Sequence, residues 1–289
     1  MLSGMKVIIG FALLFSVAYA QPTIVPGGVL NAASFAKDSS GQGTPVAPGS
    51  LVAIFGSGFG SSTSAADTIP YSTQLGGVTV NFTVGGNTFP AALQNVIPTA
   101  GPNYGIITAQ IPFEVMQQGQ GSVTTNMTMN FGGQAVTAPV QVVPEAPGVF
   151  TLPEGAGYAV LVNLTDNSIA APSPTVPGFS SIASHPIPRG TNAYFYATGL
   201  GAMTPALADG AGFNPQTTQV NQFPTVWIGG VNGGVTANII YCGASGYPGV
   251  YQVNITIPQS APTGNSVIFQ VQSADGTQVS TTAAVIAVQ

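Results

Sequence analysis

Side chains able to do chemistry are scarce in this chain of 289 residues. His185 is the only histidine, in Ser184-His185-Pro186-Ile187-Pro188, and Cys242 is the only cysteine, in Ile239-Ile240-Tyr241-Cys242-Gly243. A Ser-His-Asp site needs an imidazole touching both a nucleophile and an orienting carboxylate. No Gly-x-Ser-x-Gly elbow opens a helix, so no such nucleophile is presented, and His185 reads as a solvated loop residue. One histidine and one cysteine leave no nitrogen and sulfur ligand set for zinc within one chain. Glycoside hydrolysis asks for two carboxyl groups about 5–10 Å apart. The acids are Asp38, Asp67, Glu114, Glu145, Glu154, Asp166, Asp209 and Asp275, scattered and mostly in turn contexts. Glu145 and Glu154 are the nearest loop pair; turn formation and solubility are the roles expected of the set. Residues 37–41 and 166–168 hold too few oxygen ligands for a calcium loop. The expectation is a protein that is not an enzyme, with no catalytic, cofactor-binding or metal-binding residues.

Aromatic side chains are the stronger candidates for binding. Trp227 is the only tryptophan. In Thr225-Val226-Trp227-Ile228-Gly229, strand alternation sends Val226 and Ile228 inward and Trp227 outward with Thr225. An outward tryptophan on a polar strand serves as a sugar-stacking platform or a protein-contact anchor. The competing reading packs it against a neighbouring part of the chain. Tyr71, Tyr104 and Tyr247 stand in loops and extend the same candidate rim.

The elements that must position these residues are strands. Val253, Ile255 and Ile257 alternate with Gln252, Asn254 and Thr256; Met127, Met129 and Phe131 alternate with Thr128 and Asn130. The same period of two runs through Val136 to Val142 and Val267 to Val271, which predicts half-buried antiparallel strands. Gly76-Gly77, Gly85-Gly86-Asn87, Gly132-Gly133, Asp166-Asn167 and Asp275-Gly276 supply turns between them. Outside the first 20 residues no window keeps a helical period; Phe113 to Gln118, after Pro112, could make one turn. The 38 glycines and 24 prolines suit many short strands joined by tight loops.

The chain also repeats itself. Pro48-Gly49-Ser50-Leu51-Val52-Ala53-Ile54-Phe55-Gly56 is echoed by Arg189-Gly190-Thr191-Asn192-Ala193-Tyr194-Phe195-Tyr196-Ala197, with Gly49 and Gly190 standing 141 positions apart. Ala109-Gln110-Ile111-Pro112 is echoed by Ile255-Thr256-Ile257-Pro258, 146 positions on. Ordered blocks at similar offsets predict tandem copies of one domain. The predicted architecture is all-β, with two tandem Ig-like β-sandwiches at residues 22–145 and 146–289, each large enough to bury a core. The copies are expected to fold independently, joined by a proline-stiffened hinge at residues 144–148. Residues 172–188 read as a long Pro/Ser loop. Thr83 reads as the first-copy counterpart of Trp227.

Residues 1–20 read as a cleaved signal peptide: Lys6, an apolar run from Val7 to Val17, then Ala18-Tyr19-Ala20, with cleavage between Ala20 and Gln21. The apolar run is shorter than the roughly 20 residues a bilayer span needs. No later segment is long and apolar enough to span, and no cysteine follows to carry a lipid. The expected location is therefore secreted or cell-surface, without lipoprotein anchoring. Cleavage leaves Lys37 and Arg189 as the only fixed cations against eight acids. Two scattered cations cannot neutralise a phosphate backbone or hold an anionic membrane. With 4% charged residues the surface falls to Ser, Thr, Asn, Gln and Gly, which suits a neutral partner such as a glycan or another surface protein. A lone cysteine forms no intrachain disulfide, and Cys242 is expected as a small buried hydrophobe.

Leu30-Asn31-Ala32-Ala33-Ser34-Phe35, Pro48 to Gly56, Ala146-Pro147-Gly148-Val149-Phe150, Tyr196 to Gly201 and Gly249 to Pro258 form an ordered set. The set resembles the Solibacter uncharacterised C-terminal domain family of exported acidobacterial proteins, with a repeat core similar to IPT/TIG immunoglobulin-like domains. The resemblance spans about Leu30 to Gln289. It implies export and a β-sandwich architecture, and it brings no catalytic residues. Three functions follow in order: a non-enzymatic structural or adhesive module at the cell surface, a carbohydrate-binding protein using Trp227, and a minimal glycan-active enzyme.

Overall fold

The computed structural model describes residues 21–117, 119–212, 217–281 and 283–289. The leader and Ala20 lie outside the described residues; Gln21, the expected first mature residue, is exposed. The chain is all-β with several sheets, and among the described residues the only helical turn is a single 3-10 turn at Phe113–Val115, after Pro112. No described helix is long and apolar enough to cross a membrane.

Residues 23–142 form two five-stranded sheets. One runs in the order Thr23–Asn31, Leu51–Ser57, Gly105–Gln110, Ala92–Ile97, Ser64–Ala65. The other runs Gln134–Val142, Val123–Phe131, Val78–Val84, Gln74–Leu75, with Asn87–Pro90 on the third strand. Both sheets contribute to one core: Val52, Ile54 and Ile107 from the first meet Val80, Phe82, Met127 and Met129 from the second. Each is fully buried and each obeys the period of two, so hydrophobic burial sets which face turns inward. Gly85-Gly86 and Gly132-Gly133 close two-residue hairpins with positive φ at both positions, the type I′ geometry that glycine adopts without strain.

Residues 148–288 repeat the plan. One sheet runs Gly148–Val149, Asn192–Thr198, Tyr251–Thr256, Asn238–Ala244, Gln219–Val220, Met203–Thr204, with Leu161–Asn163 also on Asn192–Thr198. The other runs Thr151–Leu152, Gly157–Ala159, Ala284–Val288, Gly264–Gln272, Thr225–Ile228, Val235–Thr236. Phe195 and Phe269 meet edge to face across their core, ring centroids 4.9 Å apart.

The correspondence reaches single hydrogen bonds. Asn31 Oδ1 accepts from Ala33 N, and Asn163 Oδ1 accepts from Thr165 N. Each asparagine carbonyl then accepts from the residue four positions on, Phe35 or Asn167, and both of those carry a positive φ. Both central ladders bulge on the same rung: two residues stand against one at Leu93/Asn95 and at Ile239/Tyr241.

One sequence expectation changes. Residues 172–188 are not an unstructured loop: Thr175–Val176 pairs with Phe179–Ala183, and Val176 is buried against Val162, Ile169 and Tyr194. The apolar residues between the prolines give that ribbon something to bury. The segment 144–148, expected as a proline-stiffened hinge, is also held by packing and backbone hydrogen bonds. Ala47, Val143 and Ala146 cluster together, Val143 N donates to Val46 O, and Ala146 N donates to Gly199 O.

A polar seam joins the two halves. Thr198 Oγ1 accepts from Leu51 N at 2.9 Å and donates to Gly249 O at 2.6 Å. Asn31 Nδ2 donates to Ala146 O, Gln110 Oε1 accepts from Gly210 N, and Asp209 Oδ1 accepts from Phe113 N. Thr198 and Gln110 are fully buried and Asn31 nearly so. Buried polar groups whose partners sit in the other half count against independent folding of the copies.

Candidate functional site

Acid, base and nucleophile positions come first. His185 Nε2 meets Asp166 Oδ2 at 2.6 Å, and its Nδ1 meets Pro186 O at 2.9 Å. Both ring nitrogens are taken, so the imidazole has none left to activate a nucleophile. Ser168 is no candidate, because its hydroxyl donates to the same Asp166 carboxylate. The bond to Asp166 raises the His185 pKa above its ordinary value, while Asp166 falls to about 2. Asp166→Asn should bring the His185 pKa back down towards 6.5 in an imidazole proton NMR titration; an unchanged midpoint would show that the pair does not form in solution.

Glu145 and Glu154 serve different places. Glu145 is half-buried in the seam, and its Oε2 accepts from Ala274 N at 2.6 Å. It borders a cavity of about 580 Å³ with Phe113, Met116, Met203, Leu207 and Asn221. Burial raises its pKa. Glu154 is exposed on the turn at residues 153–156. The carboxyls that do lie near each other are Asp209 and Glu114; burial, with Glu114 adding to it, lifts Asp209 to about 7. Asp209 is already clamped on Phe113 N. Among the described residues no three His, Cys, Asp or Glu gather to hold a metal. Cys242 is fully buried, and burial pushes its thiol pKa up.

The predicted aromatic rim comes apart. Val226 and Ile228 are fully buried and Trp227 points to the other face, as alternation requires. Trp227 is not an exposed platform, however. It is half-buried beside Gln270 and Thr236, and its Nε1 donates to Gln272 Oε1 at 3.1 Å. Its first-half counterpart is Asn81, not Thr83: Ala237 N donates to Val226 O just as Ala91 N donates to Val80 O. Tyr71 lies in the seam, its N–H donating to Gly210 O. Tyr104 packs its ring on Phe55 and over Gly101. Of the four, Tyr247 is the most exposed, at 59%.

Tyr247 instead belongs to a constellation that sequence reasoning missed. On the outer face of the sheet built on Asn192–Thr198, Tyr194, Asn254 and Tyr241 stand opposite one another on three adjacent strands. The next outward row is Tyr196, Gln252 and Gly243. Tyr194 and Tyr196 pack edge to face at 5.6 Å. Burial raises the Tyr196 pKa, with neighbouring Tyr194 and then Tyr247 adding to it. The Tyr241 hydroxyl lies 3.0 Å from Thr218 O and 2.9 Å from Ala244 O. Gly243 lies beneath that hydroxyl, where a Cβ would stand 2.7 Å from it. Gln252 Nε2 donates to Asn254 Oδ1 at 2.8 Å. The three strands contain no charged residue. Alternation around buried Ala193, Phe195 and Ala197 was the signal that could have found Tyr194 and Tyr196. No protein-family model matches this chain, and no curated protein matches it.

Proposed function

We propose that this is an exported, non-enzymatic protein of two tandem Ig-like sandwiches, acting as a structural or adhesive module at the cell surface. The observation that carries the reading is the uncharged tyrosine and amide face of the second half. Such a face holds an uncharged partner through stacking and short hydrogen bonds rather than long-range attraction. Contact of that kind is insensitive to salt, because there is no counter-charge to screen. The leader supports export, and the two cations left after cleavage make nucleic acid a poor partner. Carbohydrate binding through Trp227 is disfavoured by the bond that ties the indole to Gln272.

The test is retention of the purified mature chain on whole cells and isolated envelope material. Retention should persist in 1 M salt and should drop at least tenfold in Tyr196→Ala with Tyr247→Ala. Retention that salt abolishes, or that the double variant leaves intact, would overturn the reading.

A further inference from the structure

The tyrosine face also says what kind of partner it fits. Tyr241 shares its one hydroxyl proton between Thr218 O and Ala244 O, which holds the hydroxyl on the backbone and leaves the ring as the part offered to a ligand. The side of a pyranose ring that carries axial C–H bonds is the complementary surface. Between Tyr194 and Tyr241 stands Asn254, and beside it Gln252. Among the described residues no hydrogen bond takes up Asn254 Nδ2 or Gln252 Oε1. One is a donor and the other an acceptor, which is the pair a sugar hydroxyl uses. Tyr194 and Tyr241 are rooted two strand spacings apart, about 9.5 Å, which is close to the length of two sugar rings laid across the strands. The ribbon of residues 175–183 packs beside Tyr194 and bounds one end, while Tyr247 stands at the other row.

Resting on the reading of this face as the contact surface, we propose that it binds a linear neutral polysaccharide of β-linked pyranose rings. The chain runs perpendicular to the strands, stacks on Tyr194 and Tyr241, accepts a hydrogen bond from Asn254 Nδ2 and donates one to Gln252 Oε1. The absence of charge on the three strands selects neutral over uronate or sulfated chains, because no cation there offsets a desolvated anion.

The mature chain is run through native gels containing hydroxyethylcellulose or mixed-linkage β-glucan, and titrated calorimetrically with β-1,4-linked gluco-oligosaccharides. Retardation in the gels is expected, with affinity rising as the oligosaccharide lengthens beyond a disaccharide. Tyr241→Ala and Asn254→Ala should each weaken binding at least tenfold, and Trp227→Phe should leave it unchanged. Asn254→Ala keeps the test sound if Tyr241→Ala fails to fold. Retention on envelope material without any response to these polymers would overturn the glycan while sparing the adhesive role. Loss of both would overturn the two together. Equal binding by Asn254→Ala and Tyr241→Ala would place the glycan elsewhere and overturn the site.

Discussion

Thr198→Val should cost about 2–6 kcal/mol of stability and uncouple the unfolding of the two halves. The substitution keeps the side chain's shape and removes only its hydroxyl. That hydroxyl is fully buried and bonded twice, to Leu51 N in the first half and Gly249 O in the second. Valine leaves one donor and one acceptor without partners, each worth about 1–3 kcal/mol when buried. The measurement is chemical denaturation followed by two probes. Trp227 emission reports the second half alone, since it is the only tryptophan, whereas far-UV circular dichroism sums both. Coincident transitions are expected in the natural sequence and separated ones in the variant. A loss under 1 kcal/mol with transitions still coincident would show that the seam hydroxyl does not couple the halves.

The second large effect is a fall in stability between about pH 4 and pH 7, removed by Asp209→Asn. Burial raises Asp209 from 3.8 to about 7, with nearby Glu114 pushing the same way. Across that window the folded protein holds a proton that the unfolded chain has released. Stability therefore falls as pH rises and levels off above pH 7. The favourable contribution is complete below pH 3.8 and gone once Asp209 ionises in place. Partial exposure of the carboxyl screens part of the effect. Asparagine keeps an oxygen for Phe113 N and cannot ionise, so its stability should be flatter across the window and higher than that of the natural sequence above pH 7. Identical pH profiles for the two proteins would refute the burial of a neutral Asp209.

Much of this fold was written in residue order. Alternation around Met127 and Met129 and around Phe269 and Val271 predicted strands and their inward faces. Gly-Gly pairs predicted tight hairpins, and the echo of residues 48–56 in 189–197 predicted the repeated plan. The seam was hidden because its bonds come from polar residues at strand ends, such as Thr198 and Gln110, that look like ordinary surface. Trp227 was read correctly for direction but not for cover: alternation names a face, not what lies over it, and Gln272 arrives from the neighbouring strand. Tyr241 was hidden for a different reason. Strict alternation from inward Ile239 sends Tyr241 inward as well, and only the extra residue Ile240 turns it out beside Asn254.

That extra residue has a consequence for chain length. Deleting a residue from a strand ordinarily turns every later side chain to the opposite face. At the bulged rungs the count already runs one over, so removing Gln94 or Ile240 restores strict alternation. Leu93 and Val96 keep facing the first core; Ile239 and Cys242 keep facing the second; Tyr241 stays outside. These are two positions in the central strands where the chain can shorten by one residue with no side chain changing sides.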